Sequence, residues 1–303
     1  MKVFVTGATG YVGGSVATKL LEAGHQVIGL ARSDDAAACL KKRGIEPLYG
    51  DLNAYTPFVA VAKRVDAVIN AANSDNPFVV HALLIGLAGS GKTLIQTSGS
   101  SVVATYDNGE ASERVFDENT PFTPEPEKAG RVAIDQSVLA GAKSGVRSIV
   151  IRPTLIYGRG IGVAATSIQL PKLIDVARKH GVPRHVGRGL NIWSNVHIAD
   201  VVNLYLLALE KAPAGSLFYA ESGEASFKSV AQSIGRMLGL GERTEDWPIG
   251  EAVDGLGPGA YLSFGSNSRT RGVQSRAMGW KPKQATVFDE IENGVYREVY
   301  GGK

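Results

Sequence analysis

The stretch that most constrains the fold is "KVFVTGATGYVGGSVATKLLEAG", residues 2–24. A short apolar run meets a glycine-rich turn, and the turn opens a helix expected from Tyr11 to Ala23 and closed by Gly24. Val12, Val16 and Leu20 recur every four residues and give that helix one buried stripe. Gly7 permits a tight turn, Gly10 lets backbone approach a phosphate, and Gly13 lets helix and strand pack closely. Thr9, Tyr11 and Val12 complete the surface that the turn offers. Free N–H groups and the positive dipole end of a helix then face a pyrophosphate.

Short β-type runs alternate with helical ones from there on. The strands "QVIGLAR", "EPLYGDL", "DAVINAA", "TLIQTSG" and "RSIVIRPTLIYG" are separated by helices predicted over Asp34–Lys42, from Tyr55, from Pro77 to about Gly89, and over the stretch "EPEKAGRVAIDQSVLA". Apolar strands with little alternation belong to a sheet buried on both faces. Strand–helix alternation means parallel βαβ units. The expected fold is therefore α/β, a Rossmann-type doubly wound parallel sheet over residues 1–158. A smaller, partly interleaved lobe follows over 159–303, with segments returning to the first domain. There the pattern loosens to helices at Ser167–His180, Ser226–Leu238 and from Thr286, where "TVFD" has the side chains of a capping box. The loop from Tyr106 to Glu127 is long and acidic, either a flap over a site or a solvated excursion.

Composition narrows the function. The 303 residues exceed what one core usually serves. A net charge of +3, scattered along the chain, gives no basic footprint for nucleic acid. No run reaches the ~18 apolar residues that span a bilayer. With its first strand at Lys2 and Cys39 as its one cysteine, the chain reads as a cytoplasmic protein without a disulfide. Cys39 is expected to be a buried filler in its helix.

"GLAGSGKT", Gly86–Thr93, matches the Walker A pattern. A P-loop follows a strand and opens a helix. This one closes a helix and opens a strand, so its glycines read as a C-cap and turn, and Lys92 as a cation favoured near a helix C-terminus.

The second strand ends in Ala31 and Arg32, without the carboxylate that would bind the ribose hydroxyls of NAD. A guanidinium pairs with phosphate through two hydrogen bonds, so NADP is expected over NAD.

The chain resembles the short-chain dehydrogenase/reductase superfamily in its extended or atypical, epimerase/dehydratase-like branch. The resemblance covers nearly the whole sequence. It rests on "TGATGYVG", "GDL", "NAAN", "TSGSS", "RPTLIYG", "VHIAD" and "GWKP". It implies that Asp51 and Leu52 flank the adenine, that Ala71, Ala72 and Asn73 line the central ribose, and that Pro153 faces the nicotinamide. It further implies a homodimer pairing the helix "FVVHALLIGLAG" with the 128–142 helix across a two-fold axis.

The family's catalytic set is a Ser or Thr after the fifth strand and Tyr-x-x-x-Lys on the next helix. No Tyr-x-x-x-Lys occurs here. Counting back from "VLAGAKSGVRSIVIRP", Glu127 takes the tyrosine position and Arg131 the lysine position, and Gly99 stands at the serine position between Ser98 and Ser100. Arg131, charged at any working pH, is suited to hold the nicotinamide ribose. Glu127, with a reference pKa of about 4.3, is a poor proton donor at neutral pH. The two also form an ordinary i, i+4 helix pair. The remaining candidates for proton transfer are Ser100, water and a displaced tyrosine: Tyr106, Tyr157 or Tyr261.

In nucleotide-sugar enzymes of this family an arginine shortly before "VH" holds the diphosphate. Aligned on Val196 and His197, that place is Trp193, which packs a ring rather than neutralising a phosphate. Trp193 and Tyr157 are therefore candidate substrate contacts. The expected function is oxidoreduction of a small apolar or aromatic carbonyl or alcohol. The rival is a non-catalytic NADP-binding redox sensor acting through a partner.

Overall fold

The computed structural model describes residues 1–301. In it β1 (Lys2–Thr6), α1 (Tyr11–Glu22), β2 (Gln26–Ala31), α2 (Asp34–Lys42), β3 (Glu46–Tyr49), α3 (Tyr55–Arg64), β4 (Ala67–Asn70), α4 (Pro77–Leu87) and β5 (Thr93–Thr97) follow the expected order. Then come α5 (Pro126–Ala140), β6 (Arg147–Pro153), β7 (Leu155–Tyr157), α6 (Gln169–His180), β8 (Arg184–Val186), β9 (Ile192–His197), α7 (Ile198–Lys211), β10 (Ser216–Ala220), β11 (Gly223–Ser226), α8 (Phe227–Leu238) and β12 (Glu245–Trp247). The main sheet has seven strands in the order β10-β6-β5-β4-β1-β2-β3. Every pairing in it is parallel.

The double winding follows from the two-residue period of a strand. Val3 and Val5 point to a core shared with α1, α2 and α7. Phe4 points to the opposite core, built by α3, α4 and α5. All three side chains are fully buried. A third core holds Leu155, Trp193, Phe227, Trp247 and Tyr296 in the C-terminal lobe.

The run "RSIVIRPTLIYG" is two strands rather than one. β6 ends at Pro153, which has no N–H for a further ladder bond. Thr154 then donates both its N–H and its hydroxyl to the Ala220 carbonyl, at 3.2 and 3.0 Å. β7 passes into a separate three-stranded sheet, β11-β9-β7. The loosely patterned half supplies α7 and β10 to the first layer system, and β10 forms the sheet edge beside β6.

The Walker-like segment does close α4 and open β5, with Gly89 and Gly91 both at positive φ. The Lys92 ammonium donates to the Lys63 carbonyl in the last turn of α3 at 2.9 Å. The capping box at Thr286 and Asp289 forms as read. Cys39 does not: it lies exposed on α2, whose buried positions are Ala37 and Leu40. The Tyr106–Glu127 segment is pinned rather than free. Phe116 exchanges backbone bonds with Arg269 and Arg271, and the Glu118 carboxylate accepts from the N–H groups of Tyr219, Val273 and Gln274. Among the described residues no helix is long and apolar enough to cross a membrane.

Candidate active site

Strand order reverses between β4 and β1, and in such a sheet ligands bind beyond the carboxyl ends of the strands at that switch. The loops after β1, β2, β3, β4, β5 and β6 all open on this edge. They carry Gly7–Val12, Arg32, Asp51 and Leu52, Ala71–Asn73, Ser98–Ser101 and Pro153, the positions read as cofactor and catalytic residues.

The glycine loop is held in an open form. Gly7 has φ +68, and a Cβ there would meet the Ala71 carbonyl oxygen at 2.6 Å. A Cβ on Gly13 would meet the Gly7 backbone, as close helix–strand packing requires. Gly10 is the N-cap of α1, contributes no side chain, and donates its N–H back to the Gly7 carbonyl at 2.8 Å. Behind the loop, the buried Thr6 hydroxyl donates to Asn70 at 2.5 Å and accepts the N–H groups of Ala71 and Ala72. The Asn70 amide in turn donates to Gln96 at 2.7 Å. This chain fixes the ends of β1, β4 and β5 relative to one another. Thr9 and Val12 are partly exposed, and Arg32, Asp51, Ala72 and Asn73 are exposed. Asp51 accepts from the Asn53 N–H, and Asn73 from the Asp75 N–H. A narrow bed without side chains, at a helix N-terminus and beside an exposed guanidinium, fits a dinucleotide phosphate. Tyr11 differs from this group: its hydroxyl donates to the Gly158 carbonyl at 2.7 Å, so the side chain ties α1 to the loop after β7.

A cleft of about 430 Å³ extends from Val12 past Ser98–Ser101, Arg131, Pro153 and Trp193. Lys128, Ile168, Gln169, Leu262 and Ser263 complete its walls. The indole of Trp193 packs at the wall while its N–H donates to Ser266 at 2.9 Å. Tyr157 does not line this cleft. It is 2% exposed, donates to the Ala285 carbonyl at 2.8 Å and stacks edge-on against His197. Its reading as a substrate contact is corrected accordingly.

The catalytic positions are rewired. Glu127 and Arg131 do not pair with each other. Arg131 makes a bidentate bridge to Asp75, at 2.7 and 2.5 Å, and donates to Ser101 at 3.3 Å. That guanidinium holds the Asp75 carboxyl below its ordinary value. A Cβ on Gly99 would sit 3.5 Å from the Arg131 guanidinium, an ordinary contact distance, so the serine position lies directly against that side chain. Glu127 instead accepts from the Tyr106 hydroxyl at 2.6 Å, which lowers the acid; burial, reinforced by that carboxylate, raises the phenol. Tyr261 stacks edge-on on Tyr106 at 4.7 Å. Tyr106, Tyr261 and Glu127 thus bound an adjoining recess rather than the main cleft, the two meeting at Leu262. Ser100 is 1% exposed and its hydroxyl accepts from Ser268 at 3.1 Å.

Beneath the cleft Asp135 is fully buried. One carboxylate oxygen accepts from Ser98 at 2.8 Å and from Arg152 at 2.9 Å. Burial pushes this carboxyl up, and the Arg152 charge opposes the push. His197 caps α7 through Nδ1. The Asp200 carboxylate does not cap that helix but accepts the N–H groups of Lys283 and Gln284, and the Asp200 carbonyl accepts from buried Trp280 of "GWKP". These two positions anchor structure around the site.

Residues 3–218 match the model of the NAD dependent epimerase/dehydratase family. The chain belongs to that family. An uncharacterized protein of Schizosaccharomyces pombe is 32% identical over 98% of this chain and 100% of its own length. A 4-hydroxy-2-methyl-3-oxo-4-farnesyl-3,4-dihydroquinoline-1-oxide ketoreductase of Stigmatella aurantiaca is 28% identical, over 74% of this chain and 69% of its own. The crystal structure of a dTDP-glucose 4,6-dehydratase from Bacillus anthracis in complex with NAD superposes with a TM-score of 0.78. It covers 99% of this chain and 96% of that one at 19% identity, a likeness of fold. This epimerase/dehydratase family member has the oxidoreductase architecture and the bed for a nicotinamide dinucleotide. The position of Lys128 in the cleft escaped the sequence reading, which followed the i, i+4 template from Glu127 to Arg131. The i, i+3 spacing from Lys128 to Arg131 was the signal available, since residues three apart share a helix face.

Proposed function

We propose that this protein is an NADP-dependent reductase of a small carbonyl compound with an apolar or aromatic body. The observation that carries the reading is the single cleft joining the glycine loop at Val12 to Arg131, Pro153 and the indole of Trp193. Trp193 stands where a nucleotide-sugar enzyme would need a diphosphate-binding arginine. An indole there favours a flat or greasy substrate. The name of the Stigmatella relative, a ketoreductase, is in keeping with such a substrate.

When bound, the reduced nicotinamide supplies a hydride. Gly7, Gly10 and the N-terminus of α1 would hold the pyrophosphate, and Arg131 the nicotinamide ribose, with Asp75 holding its guanidinium in place. Arg32, exposed after β2, would meet a 2′-phosphate. NADPH should therefore bind more tightly than NADH. Arg32→Ala should cost about 1.5–3 kcal/mol with NADPH, as for a charged hydrogen bond, and little with NADH. Fluorescence titration reads both, and equal curves for the two cofactors in the unmodified protein would remove the claim. NADPH oxidation against a panel of aromatic and aliphatic aldehydes and ketones tests the reaction itself. Silence across the panel with intact NADPH binding would favour a redox sensor.

The same reading makes the protein a homodimer through α4 and α5. The outer surface of α4 leaves Phe78 and Ile85 68% and 46% exposed. Light scattering at micromolar concentration should give twice the chain mass; a monomer mass would overturn the assignment.

A further inference from the structure

Lys128 is a cation that the site leaves without a counterpart. It lies three residues before Arg131 on the inward face of α5 and lines the cleft with Arg131, Pro153 and Trp193. Arg131 is engaged by Asp75 and Ser101, whereas no acceptor among the described residues meets the Lys128 ammonium. The side chain is half-buried. The charged groups acting on it are Arg131 and Glu127 on its own helix and Asp75 from the loop after β4. The segments that face it across the cleft, 97–101, 153–156, 168–169, 193 and 262–263, bring only uncharged side chains.

We infer that Lys128 is the proton donor of the cleft, taking over the chemical task that Glu127, turned to Tyr106, does not perform. The inference rests on the reductase reading above. The carbonyl carbon gains the hydride, the C=O π pair moves onto oxygen, and that oxygen takes a proton from the Lys128 ammonium. The product is an alcohol, the oxidised cofactor remains, and the neutral Lys128 amine recovers its proton from water at the cleft mouth. A donor works best when its pKa lies near the working pH. Burial and the Arg131 charge both push the Lys128 ammonium down towards that range. Arg131 cannot serve, because a guanidinium stays protonated.

Two measurements test this. The first needs no substrate: competitive acetylation of the cofactor-free protein across a pH series, with a lysine amide in the same reaction as reference. Lys128 should become reactive at lower pH than the reference; reaction at the same pH or higher overturns the inference whatever the turnover. The second compares Lys128→Met and Lys128→Arg on an accepted carbonyl substrate. Both should lower kcat by about 100-fold or more, the usual worth of a general acid, with much smaller changes in KM. Wild-type kcat should fall as pH rises and the ammonium deprotonates, and that limb should vanish in both variants. Wild-type kcat retained in Lys128→Arg would make the residue a fixed charge and overturn the proposal. Absence of turnover in the unmodified protein would overturn the reductase reading, and the proton donation with it, even where acetylation shows an acidic Lys128.

Discussion

Gly7→Ala should destabilise the protein by about 2–5 kcal/mol and abolish measurable NADPH binding. Two costs combine at this position. A non-glycine residue in left-handed backbone loses about 1–2 kcal/mol, and the new Cβ would press on the backbone carbonyl oxygen of Ala71 from 2.6 Å, an overpacking worth about 1–3 kcal/mol. Ala71 cannot retreat easily, because its N–H is tied to Thr6 and the strand before it to Gln96 through Asn70. The turn would therefore open where a pyrophosphate must sit. Gly24→Ala is the control. Gly24 also has a positive φ, +80, but nothing lies within 4 Å of its added Cβ. It should show the torsional cost alone and leave NADPH binding intact. Urea unfolding with cofactor titration measures both; equal losses at the two glycines would refute the steric part.

Asp135→Leu should cost about 3–5 kcal/mol, because it strands a buried guanidinium. Arg152 is 4% exposed, its Nε donates to Asp135, and among the described residues its only other hydrogen-bonded side chain is the Tyr219 hydroxyl, at 3.1 Å. The rings of Phe122 and Tyr219, at 5.6 and 5.5 Å from the guanidinium, give it cation–π contacts that replace only part of a carboxylate. Ser98, at the floor of the cleft, loses its acceptor at the same time. The double variant Asp135→Leu/Arg152→Met removes the stranded charge and should recover much of the loss. A single variant within about 1 kcal/mol of wild type in urea unfolding would show the pair to be dispensable.

What was legible in the sequence was local. The glycine loop, the stripe of α1, the strand end at Ala31, and the context that disqualified the Walker-like segment all depend on neighbours within a turn or a strand. What was not legible depended on partners far along the chain. Arg131 is claimed by Asp75, 56 residues earlier, and Glu127 by Tyr106, 21 residues earlier. An i, i+4 rule sees neither. Tyr157 looked available because no local pattern shows that its hydroxyl is taken by Ala285. β8, β11 and β12 are three or four residues long, too short for periodicity to register.

The position of β10 at the edge of the main sheet, beside β6, sets a timetable for the nascent chain. Residues 1–158 can lay down the first six strands of that sheet, yet β6 keeps an open edge until Ser216–Ala220 has been translated. Between those points the ribosome delivers α6, β8, β9 and α7, so one edge of the unfinished sheet stays open to other unpaired strands throughout. Elongation at about 5–20 residues per second makes that interval several seconds. Pauses placed in the coding region between codons 158 and 216 lengthen it, a faster run of codons there shortens it, and a chaperone covers the edge while it lasts.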